Sequence, residues 1–230
     1  MMNRKPSNTV LVIKSQINNS LEILKTRNLI RFYNEIEEEY LIDKDIFRLS
    51  WKNHRGGRKV SSKAFLKVDQ YMEILESGAY HAILFDYSII RVSFSFRGDN
   101  LIFQNLLWWP CPVKVEFEDE EYDSFAEIVE LFLADSENYR MRSPIRIDLD
   151  TTNDNPEHPK AHMHTQHPES RINTEEPICF NTFIKFIFNN FYPEITLDHL
   201  EFPSTNVRCE RGRRIEYKHK HKLYIHQSYR

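Results

Sequence analysis

The chain has 230 residues, 40% hydrophobic and 13% aromatic, enough to build one sizeable core in a single domain. Lysine and arginine number 31 against 34 aspartates and glutamates, a formal charge of −3. That balance excludes a global drive toward nucleic acid or anionic membrane, so any such affinity has to be local.

Five glycines leave little room for phosphate-cradling loops. Gly56-Gly57 lies between Arg55 and Arg58 without the Lys-Ser/Thr of a P-loop and reads as a turn. Cys111, Cys179 and Cys209 are widely spaced and odd in number, which indicates neither a disulfide framework nor a zinc knuckle. The stretch from Met1 to Pro6 has no apolar segment behind its positive charge, so no signal peptide is expected. The longest apolar run, around Phe180 to Phe191, is broken by Asn181, Lys185, Asn189 and Asn190 and is too short to span a bilayer. The expected setting is a reducing cytoplasm, with no membrane partner.

In chain order, Val10 to Tyr33 reads as a helix, with Ile17, Leu21, Leu24 and Ile30 as an apolar stripe. Glu35 to Glu39 reads as a solvated helix face, and the basic stretch from Trp51 to Val60 as a loop. Ser61-Ser62 offers an N-cap for a helix through Leu75, with Phe65, Val68, Met72 and Leu75 at helical spacing and Gly78 placed to end it. Asp86-Tyr87 reads as a turn. Ile90, Val92, Phe94 and Phe96 alternate with polar residues, Arg97 to Asn100 is a turn, and Leu101 to Trp109 returns as the second strand of a hairpin. Pro110 and Pro112 stop it, because neither can donate to a ladder. After the acidic stretch from Glu116 to Asp123, Ser124 to Ala134 reads as an amphipathic helix with Phe125, Ile128, Val129 and Phe132 inward. Asn181 to Tyr192 reads as a buried helix closed by Pro193.

The most informative stretch lies between those two helices. Ile145, Ile147 and Leu149 alternate with Arg146, Asp148 and Asp150, and Ala161 and Met163 alternate with His162 and His164. A period of two is the signature of strands with one buried face. Residues 144–150 and 160–166 are therefore expected to pair antiparallel, with Arg146, Asp148, His162 and His164 on one exposed face.

Three chemistries suit that set. Two histidines that titrate near neutral pH can act as acid and base on a ribose hydroxyl and its leaving oxygen, with Arg146 stabilising a phosphate, Asp148 orienting an imidazole and His158 as an auxiliary. The same groups could hold a metal ion. They could also be a polar network on a sheet surface. No cofactor and no tightly bound ion is expected, because no His-Glu-x-x-His pattern or nearby cysteine accompanies them.

Arg171 could be a second phosphate contact or an ordinary surface arginine. Trp108 and Trp109 could stack on a base, although packing at a strand end is the simpler reading. Cys111 could be a nucleophile, but nothing near it in sequence lowers its pKa. The tail carries Arg211, Arg213, Arg214, Lys218 and Lys220. The alternation from Tyr217 to His226 fits a strand with a cationic face able to hold phosphates, or a solvated terminus.

The hairpin running into Trp108-Trp109-Pro110-Cys111-Pro112, then Arg146-Ile147-Asp148, then His158-Pro159-Lys160-Ala161-His162-Met163-His164, then a Phe-rich helix ending in Phe191-Tyr192, together resemble an uncharacterised bacterial family of the DUF2290 type. The resemblance runs from about Ala79 to Tyr192 and implies no settled activity. An Arg-x-Asp strand before a His-rich strand is more loosely similar to small toxins of toxin–antitoxin modules, which implies RNA cleavage.

The expected fold is α+β, antiparallel hairpins covered by helices, in one domain over residues 1–230 with a basic extension at 204–230. The expected function is metal-independent RNA cleavage, as a toxin or defence component, with His162, His164, Arg146, Asp148 and His158 catalytic. RNA would be held by Arg171 and the basic tail. The alternative is a non-enzymatic subunit that binds a partner protein through its aromatic hairpin and acidic stretch.

Overall fold

The structure, a computed structural model, describes residues 5–51, 67–116, 124–152, 158–165, 170–174, 176–197 and, for the backbone alone, 224–225. The loop around Gly56-Gly57, Ser61-Ser62, most of the acidic stretch and the tail cations Arg211, Arg213, Arg214, Lys218 and Lys220 lie outside the described residues.

The described residues form an α+β fold of one ten-stranded sheet and four α-helices. The strands are β1 (Ile30–Tyr33), β2 (Glu37–Leu41), β3 (Ile46–Ser50), β4 (Ala82–Leu84), β5 (Ile89–Arg97), β6 (Asn100–Trp109), β7 (Ile145–Asp150), β8 (Ala161–His164), β9 (Ile172–Thr174) and β10 (Tyr224–Ile225). The helices are α1 (Asn8–Thr26), α2 (Val68–Glu76), α3 (Phe125–Leu133) and α4 (Phe180–Phe191). From β5 to β9 the strands pair antiparallel in sequence order, and β10 joins β9 in parallel. On its other edge β5 pairs with β4 at one end and β3 at the other.

The hairpin of β5 and β6 turns at Gly98, whose φ of 61° suits a residue without Cβ. One face of the sheet is apolar: Val92, Leu106, Ile147 and Met163 run across it in register. This face belongs to the larger core, which also takes the buried stripe of α1 (Val10, Ile13, Ile17, Leu21, Leu24) and that of α4 (Phe183, Ile184, Ile187, Phe188). On the other face, Ile89, Leu107 and Trp109 pack with Tyr71, Ile74 and Leu75 of α2 and Ile128 and Val129 of α3. That second core ends at Leu107, and the face beyond it is polar.

Four expectations need correction. The first helix stops at Thr26 rather than reaching Tyr33. Asn28 takes a left-handed conformation (φ 58°), which asparagine tolerates well, and Leu29 donates back to the Leu24 carbonyl at 3.0 Å. Ile30 therefore continues the buried surface from a strand. Second, the acidic run is not helical, because Glu37, Glu38 and Glu39 begin β2, paired to β3. Its charge is offset by Lys14 on Glu38 at 3.5 Å and Arg48 on Glu39 at 3.4 Å. Third, α2 buries Tyr71, Ile74 and Leu75 while Val68 stays exposed, so its inward face is rotated from the expected stripe. Fourth, the polar side of the β7–β8 pair is buried rather than exposed, with His162 and His164 only 1% and 2% accessible.

Candidate active site

Register places the site. Across the polar face, Arg91 of β5 lies opposite Leu107 of β6, Leu107 opposite Arg146 of β7, and Arg146 opposite His164 of β8. Two residues along, Ser93, Asn105, Asp148, His162 and Asn173 form a second row from β5 to β9. Side chains two apart on a strand share a face, so the rows lie side by side.

At their meeting point is the Asp148 carboxylate. Arg146 Nε donates to Oδ2 at 2.8 Å, and Asn105 Nδ2 donates to Oδ1 at 2.7 Å. His164 Nε2 lies 3.3 Å and His162 Nε2 3.8 Å from the same Oδ2. The two Nε2 atoms face each other at 2.9 Å. On its far side the His162 ring meets the Pro159 carbonyl, with Nδ1 at 2.6 Å. A carbonyl can only accept, so this contact puts the His162 proton on Nδ1 and leaves Nε2 with its lone pair. The His158 ring packs edge-on against His162, centroids 4.6 Å apart.

The electrostatics follow from burial and neighbours. Burial works to raise the Asp148 pKa, but the Arg146 charge, a hydrogen bond from His164 and the two imidazoles outweigh it and hold the carboxyl down to about 2. Burial is also the largest influence on His162, and it outweighs the pull of Asp148 to press the imidazole down to about 4. At neutral pH the cluster is a carboxylate beside a neutral His162. Asp148, His162 and His164 each offer a donor atom, all within 4.8 Å of one another, and are the described residues able to hold a cation.

Arg146, Asp148, His158, His162 and His164 are thus brought together. Arg171 is half-buried immediately before β9. Trp108 and Trp109 are buried in the two cores, so neither ring face is offered to a base. Cys111 is buried, and burial pushes its thiol up to about 11, away from a nucleophile's range.

Sequence reasoning missed Arg91. Its side chain is 1% exposed, stacks over Trp51 at 4.6 Å, and has no hydrogen-bond partner for Nε or Nη1 among the described residues. Burial and then the nearby Arg146 charge press its pKa down to about 9, so it stays cationic at neutrality. Ser93 Oγ, His164 Nδ1 and both amide atoms of Asn173 are likewise buried without partners among the described residues. The signal was present in the run Ile90-Arg91-Val92-Ser93-Phe94-Ser95, which alternates in phase with Arg146, Asp148 and Asp150 two strands away.

Residues 12–227 match the family described as Uncharacterized conserved protein (DUF2290), and the chain belongs to that family. No curated protein and no solved structure matches it. Among the described residues, no helix is long and apolar enough to cross a membrane.

Proposed function

We propose that the chain is an enzyme that cleaves phosphodiester bonds in RNA. The observation that carries this reading is the convergence of Arg146, Asp148, His162 and His164 within direct contact of one another. Phosphoryl transfer needs a cationic group for the charge growing on the phosphate and a basic pole for the proton of the attacking hydroxyl. Arg146 supplies the first, with Arg91 two strands away on the same face adding a second positive charge. The imidazole pair with Asp148 supplies the basic pole. With only 2.9 Å between the Nε2 atoms, the two histidines work on one side of the phosphate, as a unit, rather than as acid and base across it. Arg146 and Asp148 keep 15% and 12% of their side chains accessible, so the approach is from their side.

The test is cleavage of labelled RNA by the purified full chain. Arg146→Ala and His164→Ala should each lower the rate by about two to four decades. Absence of cleavage by the wild-type chain, or a His162→Ala/His164→Ala double variant as active as wild type, ends the reading.

One observation favours the alternative of a partner-binding subunit. Leu131, Tyr139 and Met141, close in sequence, are 49%, 57% and 100% exposed. If that reading is right, replacing all three by serine abolishes co-purification of a partner and leaves the melting temperature unchanged.

A further inference from the structure

Asp148, His162 and His164 are placed as a metal would place them. In a tetrahedral site with metal–nitrogen and metal–oxygen bonds of about 2.0–2.1 Å, donor atoms stand about 3.3–3.4 Å apart. The three separations among Asp148 Oδ2, His164 Nε2 and His162 Nε2 are 2.9, 3.3 and 3.8 Å, which bracket that edge. The three atoms therefore form one face of a tetrahedron around a point none of them occupies. Three protein ligands leave a fourth position for water or substrate, the pattern of catalytic rather than structural sites.

The surroundings of His162 and Asp148 fit as well, while His164 Nδ1 has no partner among the described residues. A histidine that ligates through Nε2 usually has its other nitrogen fixed by a carbonyl or carboxylate, and His162 Nδ1 meets the Pro159 carbonyl at 2.6 Å. The carboxylate ligand is in turn held by Asn105 and Arg146.

We propose that Asp148, His162 and His164 bind one divalent transition-metal ion, of the zinc type. The sequence argued against an ion because its ligands lack a familiar local spacing. The site is assembled across two strands instead, with Asp148 directly opposite His162 and His164 one pleat along. Two nitrogens and one oxygen select zinc or a neighbouring first-row ion over magnesium, which prefers oxygen ligands. The proposal stands on ligand geometry; with an ion held there, the basic pole of the RNA reading would be water at the ion rather than the imidazoles.

The test uses the full chain, stripped with chelator and titrated with Co2+, whose visible absorption reports a tetrahedral site. One Co2+ per chain, displaced by one Zn2+ and not by Mg2+, is expected. Asp148→Asn and His164→Ala should return the absorption to baseline, with circular dichroism confirming that each variant is folded. Asn105→Ala, which loosens Asp148, should weaken binding by roughly 10–100-fold. Arg146→Ala should keep the stoichiometry, since Arg146 is not a ligand. His162→Ala should also return the absorption to baseline, and His162→Gln replaces it where the alanine variant fails to fold. No stoichiometric ion in the wild-type chain, or binding untouched by both Asp148→Asn and His164→Ala, overturns the proposal. A chain that binds the ion but cleaves no RNA ends only the RNA reading, and one that cleaves RNA with no ion bound ends only this one.

Discussion

Two polar clusters in this protein are built from similar groups and differ in how completely those groups are satisfied. The first joins the turn after β4 to the end of α4. Asp86 Oδ2 accepts from Arg142 Nη1 at 2.7 Å and lies 3.0 Å from the Tyr192 hydroxyl, while Asp86 Oδ1 accepts from the Ser88 backbone at 3.1 Å. Trp108 Nε1 donates to Tyr192 Oη at 3.3 Å, and Ser88 Oγ accepts from the Cys111 backbone at 3.2 Å. The second cluster is the one around Asp148. There the carboxylate is satisfied, but Arg91, Ser93, Asn173 and His164 Nδ1 leave buried donors and acceptors without partners among the described residues.

The difference teaches how to read a buried polar group. A nearly closed network, in which Arg142 Nε is the atom left without a partner among the described residues, ties loops together, so Trp-Trp-Pro-Cys-Pro is a structural joint. An open network in a folded interior carries a free-energy cost of about 1–3 kcal/mol per unmet group, and a protein retains that cost where something else completes the network. Removing members of the first cluster should therefore cost stability, and removing members of the second should cost function.

The largest expected effect is Trp108→Ala. The ring is fully buried, stacks on Phe191 at 4.3 Å and meets Tyr192 edge-on. Its loss should destabilise the fold by about 3–5 kcal/mol, measured by urea unfolding. A loss below about 1 kcal/mol would mean that this joint does not hold the structure. Asp86→Ala comes next. It strands a guanidinium and a phenol that burial already disfavours as charged or unbonded, and should cost about 2 kcal/mol. RNA cleavage per folded molecule should be unchanged in both variants.

Arg91→Met reverses the sign. It replaces a buried cation whose Nε and Nη1 lack hydrogen-bond partners among the described residues with an apolar side chain of similar length, so stability should rise by about 1–2 kcal/mol while RNA cleavage falls. A variant that is both less stable and fully active would remove Arg91 from the site and weaken the contrast between the clusters.

How far the sequence revealed this arrangement depends on what periodicity reports. Alternation in 145–150 and 161–164 was enough to pair β7 with β8 and to set Arg146, Asp148, His162 and His164 on one face. It could not tell that the polar face is buried too, because a period of two says which residues share a side and not what covers it. Arg91 was hidden for the same reason, lying in a run whose apolar members drew the attention to the opposite face. Ile30 misled differently: it continues the helical stripe of α1 in sequence, yet the left-handed Asn28 has already turned the chain into β1. The ligand-like geometry was the least legible feature, since it depends on the Nε2 atoms meeting at 2.9 Å, a matter of rotamers rather than spacing.

The smallest expected effect belongs to Cys111, and it tests the same contrast on a reactive residue type. A nucleophilic cysteine needs its thiolate, and electropositive, partly open surroundings lower the pKa that makes one. Cys111 has the opposite: it is fully buried between the two prolines that end β6, and burial pushes the thiol up to about 11 despite a backbone hydrogen bond and the nearby Tyr71 hydroxyl. At pH 7 only about one molecule in ten thousand would carry the thiolate. Iodoacetamide should therefore leave Cys111 unmodified in the native chain and modify it promptly in urea, as read by peptide mass. Cys111→Ala should cost about 1 kcal/mol, the loss of one packed sulfur, and leave RNA cleavage unchanged. Rapid native alkylation, or a cleavage rate that collapses in Cys111→Ala, would move the chemistry from the histidine cluster to the Pro-Cys-Pro joint.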